Sequence, residues 1–248
     1  MNLILVDQQE LNNGIVTLTD RRCTHIHKVL RGQVGDEVRV GLVNGPIGRG
    51  RILTLEPQRV VLDLTLDNQP PPRPMTDLIL ALPRPIMLKR VLSQAVQMGV
   101  GRILLINANR VEKSFFSASL LKNDAMRTFL RLGLEQAMDT ILPEVSIHPR
   151  FRPFVEDVLP AMTKPANLGL VAHPTAAATL PQACPPPQRG QRVLLAIGPE
   201  GGWLDFEIER FQEQGMRPFS LGPRILRVDT AVPALLAQIE LLRAACVR

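Results

Sequence analysis

Two segments in the last quarter of this 248-residue chain have residue types suited to hold a small ligand. The first is Gly-Pro-Glu-Gly-Gly at residues 198–202, three glycines and a proline around one carboxylate. Glycine lets backbone amides approach a bound molecule closely, because no Cβ stands in the way. The segment matches neither GxGxxG nor the P-loop, which argues against a dinucleotide or a nucleoside triphosphate. A strand-to-helix turn with Asp205 capping the next helix also explains it.

The second segment is Leu-Gly-Pro-Arg-Ile-Leu-Arg at residues 221–227, followed by Val-Asp-Thr-Ala. It places Ile225 and Leu226 between two arginines in a loop that should be polar. An apolar pair of this kind could cover a flat adenine, while a flanking guanidinium reaches a phosphate or a base. A loop that plugs the core explains the pattern too, and Asp229 has an alternative role as a helix N-cap.

Apolar runs of buried-strand length come directly before these segments, at 193–197 and, less clearly, at 217–221. A third run, 168–172, is followed by His173 and Pro174. Ligands of α/β sheets bind beyond the carboxyl ends of the strands, so the three following loops are expected to meet. A lone histidine is more often structural than functional. Together with a strand at 78–82, a helix from Leu88 and a strand at 103–106, the pattern predicts an α/β domain with a mostly parallel sheet.

The rest of the chain predicts a second, smaller domain and several helices. Residues 1–68 are short β-like runs separated by Gly, Pro and Asn, which is typical of a curved sheet or barrel, with a short helix at 24–30. A proline-rich linker follows at 69–76. Helices are predicted at 120–138, 205–214 and 230–246, and Glu135 and Gln136 within the first of them are expected to be solvated surface.

Charge favours a polyanionic partner. The formal net charge is +6, and residues 84–131 hold nine Lys or Arg against two acidic residues. A second basic cluster lies at 21–31. Aromatic residues make up only 4% with no Tyr, so phosphate contacts rather than base stacking would carry the affinity. Basic side chains spread over solvated faces remain the alternative.

Several classes of protein are excluded by what the sequence lacks. No apolar run reaches the ~18 residues of a membrane span. The three cysteines, Cys23, Cys184 and Cys246, include no CxxC pair, which argues against a disulfide framework and a zinc site and favours a reducing cytoplasm. His25 and His27 are two positions apart, which on a helix faces them away from each other, so no metal site is predicted.

The paired motifs at 198–202 and 221–227 resemble those of the RsmE family, the SPOUT-superfamily methyltransferases that act on N(3) of a uridine in 16S ribosomal RNA. The stretch His-Ile-His-Lys-Val-Leu-Arg at 25–31, with Gly-Asp at 35–36, is similar to the family's PUA-like barrel. Residues 88–100 resemble the first helix of its knotted domain. The resemblance covers nearly the whole chain.

The resemblance implies a PUA-like RNA-binding β-barrel at 1–68, the linker at 69–76, and a trefoil-knotted SPOUT domain with a mostly parallel sheet at 77–248. It also implies S-adenosylmethionine (SAM) as the methyl donor, 16S rRNA or the small ribosomal subunit as partner, and a cytoplasmic homodimer without metal or membrane. The cofactor-binding residues that it implies are His173, Gly198, Pro199, Glu200, Gly201, Gly202, Leu221, Gly222, Ile225 and Leu226.

Two departures from the family pattern concern chemistry. Asp229 stands where the family usually has Glu before Thr-Ala, and Gln-Ala-Met-Asp at 136–139 stands where it usually has Gln-x-Gly-Arg. Uracil N(3) must lose a proton before it can attack, which calls for a base or a cation that stabilises the anion. Glu200 and Asp229 are the candidates for the base. Arg227 or Arg224 could stabilise the anion, and Arg227 is preferred.

The target base must be unpaired or flipped out, because pairing buries its N(3) edge. Two alternatives stay open: a SPOUT methyltransferase for another RNA position or a ribose 2′-OH, and an inactive RNA-binding factor of ribosome assembly. The residues assigned to RNA binding are Arg21, Arg22, Lys28, Arg31, Lys89, Arg110 and Lys113.

Overall fold

A computed structural model describes residues 2–67, 69–188 and 190–245 of the chain. The strands are β1 (Ile4–Val6), β2 (Ile15–Leu18), β3 (Glu37–Leu42), β4 (Ile47–Glu56), β5 (Arg59–Leu66), β6 (Thr76–Ala81), β7 (Val100–Ile106), β8 (Glu144–His148), β9 (Leu168–Ala172), β10 (Val193–Ile197) and β11 (Arg217–Phe219). The α-helices are α1 (Arg21–His25), α2 (Pro85–Gln97), α3 (Asn123–Ala137), α4 (Phe151–Pro153), α5 (Leu159–Met162), α6 (Leu180–Ala183), α7 (Asp205–Glu213) and α8 (Val228–Ala244).

Shorter helical turns complete the elements. Wide π-helical turns follow α1 and α4, at Ile26–Leu30 and Phe154–Val158, and 3₁₀ turns lie at Gln8–Glu10, Lys113–Ser117 and Ser119–Leu121. The chain forms two compact units: one comprises Met1–Arg73 and Leu130–Leu142, the other Pro74–Phe129 and Pro143–Arg248.

The first unit is built on a five-stranded sheet in the order β1-β3-β4-β5-β2. Only the β1–β3 pair is parallel, and the other pairs are antiparallel. Buried residues alternate along β2 and along the first half of β3, and the last three residues of β3 are all buried. The strands predicted here are confirmed, but β1 was missed because three apolar residues show too little periodicity.

The predicted helix at 24–30 begins earlier, at Arg21. Asp20 caps it, because the Asp20 side chain accepts a hydrogen bond from the Arg22 backbone N–H. Ile26 then enters the core of this sheet.

The C-terminal half of α3 belongs to the first unit, although its sequence falls in the segment predicted as the second domain. Glu135 is completely buried there and accepts hydrogen bonds from both terminal nitrogens of Arg21, at 2.9 and 2.7 Å. The backbone N–H groups of Asn2 and Leu3 donate to its carbonyl. The expectation that Glu135 is solvated is therefore wrong, whereas Gln136 is exposed.

The second unit contains a six-stranded sheet in the order β11-β9-β10-β6-β7-β8, and every neighbouring pair is parallel. The predicted α/β class with a parallel sheet is confirmed. Helix α2 buries Leu88, Val91, Leu92 and Ala95, the positions whose helical spacing predicted it. Because all six strands run the same way, the loops that follow them meet at one edge of the sheet.

Strand β8 and the helical turns at 151–162 were not predicted. Strand β8 is an edge strand without a fully buried residue, and Pro153 and Pro160 interrupt the helical pattern after it. Cys23 and Cys184 are free thiols in the core, and Cys246 lies outside the described residues. Within the described residues, no helix has the length and apolarity to cross a membrane, and no group of three potential metal ligands occurs.

Candidate active site

A cavity of about 240 Å³ opens at the edge of the parallel sheet where β9, β10 and β11 end. All ten residues predicted to bind the cofactor line it, and their role there stays a prediction. The list of predicted residues omitted further lining residues, which come from the ends of the three strands, from the same loops and from α8: Ala172, Pro174, Ile197, Trp203, Phe219, Arg224, Val228, Ala231 and Leu235.

The glycine-rich loop needs its glycines for two different reasons. A Cβ at Gly198 would come within 3.1 to 3.2 Å of three ring atoms of Trp203, so any side chain there would press on the indole. Gly202 has φ +76°, in the left-handed region that favours glycine, and its N–H donates to the Pro199 carbonyl at 2.8 Å. The loop is therefore a tight turn in which Gly198 makes room for Trp203 and Gly202 supplies the left-handed conformation.

Trp203, the only tryptophan, forms the apolar base of this loop. Its ring packs edge-on against Phe211, with centroids 5.1 Å apart, and lies 6.4 Å from Phe151. Its indole Nε1–H is buried and has no hydrogen-bond partner among the described residues. Its position next to the Gly-rich motif was a signal that the sequence analysis did not use.

The other two loops complete the cavity. The backbone N–H of His173 donates to the Phe219 carbonyl at 2.9 Å, and its Nδ1 lies 3.0 Å from the hydroxyl of Thr175. Ile225 is 83% exposed, so it does not plug the core. The apolar side chain instead stands at the mouth of the cavity, where a ligand could cover it.

A second cavity of about 380 Å³ contains the three predicted catalytic residues. It is lined by Arg84, Ile86, Met87, Glu200, Arg227, Val228 and Asp229, so Glu200 and Val228 border both cavities. The carboxylate of Glu200 accepts a hydrogen bond from the backbone N–H of Arg84 at 3.2 Å, at the start of α2.

Asp229 is the buried acid of this second cavity. Its side chain is only 10% exposed, and Oδ2 accepts a hydrogen bond from Arg90 at 3.3 Å. Nε of Arg227 lies 3.5 Å from Oδ1, within ion-pair range, yet Oδ1 accepts no hydrogen bond from the described residues. The Asp229 carboxylate thus lies beside two arginines, and its Oδ1 is still able to accept a hydrogen bond.

Arg22 cannot serve as the predicted RNA contact. The residue is 6% exposed, and its guanidinium donates to the Leu5 carbonyl and to the carboxylates of Glu10 and Asp20. The hydrogen bond from Arg22 lowers the pKa of Glu10. Burial raises the pKa of Asp20, but the hydrogen bonds from Arg22 outweigh burial, so the pKa of Asp20 is lowered as well. Arg22 is a structural cation, and RNA binding is not assigned to it below.

Three other predicted RNA contacts are already engaged with the protein. Arg21 pairs with Glu135, Lys89 Nζ lies 4.9 Å from the ring centroid of Phe129, and Arg110 donates to the Gly201 carbonyl. The side chains of the remaining three, Lys28, Arg31 and Lys113, are exposed.

A family model and individual relatives of known name all place this chain among the RNA methyltransferases. The RNA methyltransferase domain family matches residues 70–240. The chain is 31% identical over 242 residues to ribosomal RNA small subunit methyltransferase E of Treponema pallidum, covering 96% of this chain and 90% of the relative. The chain belongs to the ribosomal RNA small subunit methyltransferase E family. The enzyme of that name from Synechocystis is also 31% identical, over 96% of this chain and 77% of its own length.

The family's fold is shared as well. A crystal structure of the methyltransferase E of Neisseria gonorrhoeae, bound to S-adenosyl methionine, aligns with a TM-score of 0.78 at 22% identity and covers 98% of both chains. The resemblance to this family predicted from the sequence motifs is confirmed.

One departure from the family pattern has a clear backbone consequence. Met138 ends α3 with φ +59°, at the position where the family's Gln-x-Gly-Arg stretch has glycine. Asp139 then accepts hydrogen bonds from the backbone N–H groups of Thr140 and Ile141, at 2.6 and 3.0 Å. Met138 thus holds a left-handed conformation that glycine adopts more readily.

Proposed function

We propose that this chain transfers a methyl group from SAM to N(3) of a uridine in the 16S rRNA of the small ribosomal subunit. The observation that carries the proposal is the pair of adjoining cavities, one lined by the Gly-rich loop and the other by the buried Asp229. Family membership supports the reaction, and the SAM-bound relative from Neisseria supports the cofactor.

The first cavity fits a cofactor with a flat apolar base and a polar tail. All five residues of the Gly-rich loop line this cavity, and Ile225 and Leu226 offer apolar cover for adenine. When bound, SAM would supply a methyl group already activated by its sulfonium, so alignment of the two reactants accounts for much of the catalysis.

Asp229 is the group we assign to the N(3) proton. Its free Oδ1 can accept a hydrogen bond from the uracil N(3)–H, and Arg90 and Arg227 lie beside the same carboxylate. Arg227 is the cation that would stabilise the uracil anion formed when the proton leaves. Glu200 is less suited, because its carboxylate already accepts the Arg84 N–H.

RNA binding is proposed for the exposed cations Lys28, Arg31 and Lys113, with Arg21 and Lys89 as secondary contacts. We further propose that residues 1–68 form a PUA-like RNA-binding barrel, that 69–76 serve as linker, and that 77–248 form a trefoil-knotted SPOUT domain. A homodimer in the cytoplasm accords with the family and with the unpaired cysteines.

Isothermal titration with SAM tests the cofactor site. We expect saturable binding by the wild type and at least tenfold weaker binding by Ile225→Asp, since the acid would stand where apolar cover is needed. Leu53→Asp is the matched control, an exposed apolar residue of the first unit, and should bind SAM as the wild type does. A folded wild type that binds no SAM would contradict the cofactor site and favour the inactive assembly factor.

Mass analysis of nucleosides tests the product. Incubation with SAM and small subunits lacking the modification should yield N(3)-methyluridine, and a 2′-O-methylated nucleoside would favour the alternative SPOUT activity. Asp229→Asn should lower kcat by about 100-fold while the SAM affinity stays unchanged. An Asn variant with the wild-type rate would remove the proton-accepting role.

A further inference from the structure

The loop that follows β7 packs directly on the Gly-rich loop. Arg110 donates a hydrogen bond from its guanidinium to the carbonyl of Gly201. Its aliphatic portion covers the same glycine, because a Cβ at Gly201 would lie 2.9 Å from Cδ of Arg110 and 3.3 Å from its Cβ. The Arg110 side chain therefore both donates to the Gly201 carbonyl and packs against the side of Gly201 that has no Cβ.

A buried carboxylate connects the same two loops. Glu207, in the first turn of α7, is completely buried. Its Oε1 accepts a hydrogen bond from the backbone N–H of Asn109, and its Oε2 accepts one from that of Leu204, both at 2.8 Å. Asn109 precedes Arg110, and Leu204 lies just beyond the Gly-rich loop. Burying a carboxylate is costly unless its oxygens are satisfied, and here two backbone amides satisfy it.

We propose that Arg110 and Glu207 are positioning residues that hold the Gly-rich loop in the form that receives the cofactor. Neither residue lines the cofactor cavity, so both act through the loop. A loop with three glycines has much conformational freedom to lose on binding, and a loop held in advance lowers that cost. The proposal rests on the proposed function for the identity of the ligand, and it moves Arg110 from RNA binding to cofactor binding.

Two simpler roles make different predictions. If Arg110 is an RNA contact, its loss should weaken RNA binding and leave SAM binding intact. If Glu207 only caps α7, its replacement should change the stability of the protein without loosening the Gly-rich loop.

The experiment compares Arg110→Ala, Arg110→Lys and Glu207→Gln with Lys113→Ala, an exposed cation three residues further along the chain. Calorimetry gives the Kd for SAM, and binding of a 16S rRNA fragment at fixed salt gives the Kd for RNA. Hydrogen exchange of residues 198–204 without SAM reports how firmly the loop is held.

We expect Arg110→Ala to raise the Kd for SAM about tenfold, as loss of one charge-assisted hydrogen bond would. Its RNA Kd should change less than twofold, and the loop amides should exchange faster. Arg110→Lys should restore part of the SAM affinity, and Glu207→Gln should also speed exchange. Lys113→Ala should show the reverse, with weaker RNA binding and unchanged SAM binding.

Unchanged loop exchange in both Arg110→Ala and Glu207→Gln would overturn the proposal, as would an Arg110→Ala variant that loses only RNA affinity. Because exchange is measured without cofactor, it tests the positioning role even if the wild type binds no SAM. In that case the proposed function would fail separately.

Discussion

The residues predicted to bind the cofactor and those predicted to bind RNA were inferred from the same sequence, and the structure places the two sets differently. All ten residues predicted for the cavity line it. Of the seven predicted RNA contacts, Arg22 is buried, and Arg21, Lys89 and Arg110 are exposed but already contact other residues of the protein. Loop residues that follow neighbouring parallel strands must meet, because the sheet brings the strand ends together. Whether a basic side chain pairs within the protein depends on which acceptors the fold places near it. The number of charges in a segment does not predict those partners.

The strongest test of this contrast is Arg22→Ala. We expect the free energy of unfolding to fall by about 3 kcal/mol, because Glu10 and the Leu5 carbonyl lose a buried partner. Urea denaturation measures the change. Lys28→Ala is the control and should stay within about 0.5 kcal/mol of the wild type. An equally small change for Arg22→Ala would contradict the structural role of Arg22.

Gly198→Ala tests whether the Gly-rich loop of the cofactor cavity needs a glycine at this position. The added methyl would press on Trp203, which Phe211 holds in place, so the loop must shift. We expect the Kd for SAM to rise about tenfold by calorimetry. Trp203→Phe in the same background makes room for the methyl and should recover part of the affinity. No effect of the single change on the Kd would mean that the cofactor site does not need a glycine at position 198.

The Arg22 network also predicts a smaller effect of pH on stability. The pKa of Glu10 is held below its ordinary value of 4.5, so the unfolded chain binds the proton more readily. The contribution of Glu10 to the free energy of unfolding should therefore be present above pH 4.5 and be lost as the pH falls below it. Urea titrations at several pH values should show a shallower fall in Arg22→Ala. Equal slopes in both proteins would contradict the pairing.

Exposed cations should influence RNA affinity through phosphates. Lys28→Ala combined with Arg31→Ala should weaken RNA binding a few-fold and reduce the slope of log K against log salt by about 1.4 on a single strand. Filter binding over a salt series gives the slope. Arg49→Ala is the control, since Arg49 already pairs with Glu37, and it should leave the slope unchanged.

The smallest expected effect concerns Met138. Met138→Gly should raise the free energy of unfolding by about 0.5 kcal/mol, because glycine adopts the left-handed conformation without strain. Met138→Ala keeps the strain and should bring no gain in the same urea titrations. A loss of stability in the glycine variant would show that contacts of the methionine outweigh the backbone term.

The sequence alone determined the elements whose signals are local. Strands at 168–172 and 193–197 and the buried face of α2 match the prediction, because burial imposes a pattern that a short window reveals. The Gly-rich loop was also readable, since glycine and proline constrain the backbone wherever they occur.

Only the tertiary structure decided which distant residues become partners. Glu135 is buried against Arg21, more than a hundred positions away, and Arg110 rests on Gly201 across a similar distance. The buried Trp203 under Gly198 belongs to the same class of contact. A local pattern shows that a side chain is charged or aromatic, but its partner is chosen by the packing of the whole chain, where burial makes the pairing energetically decisive.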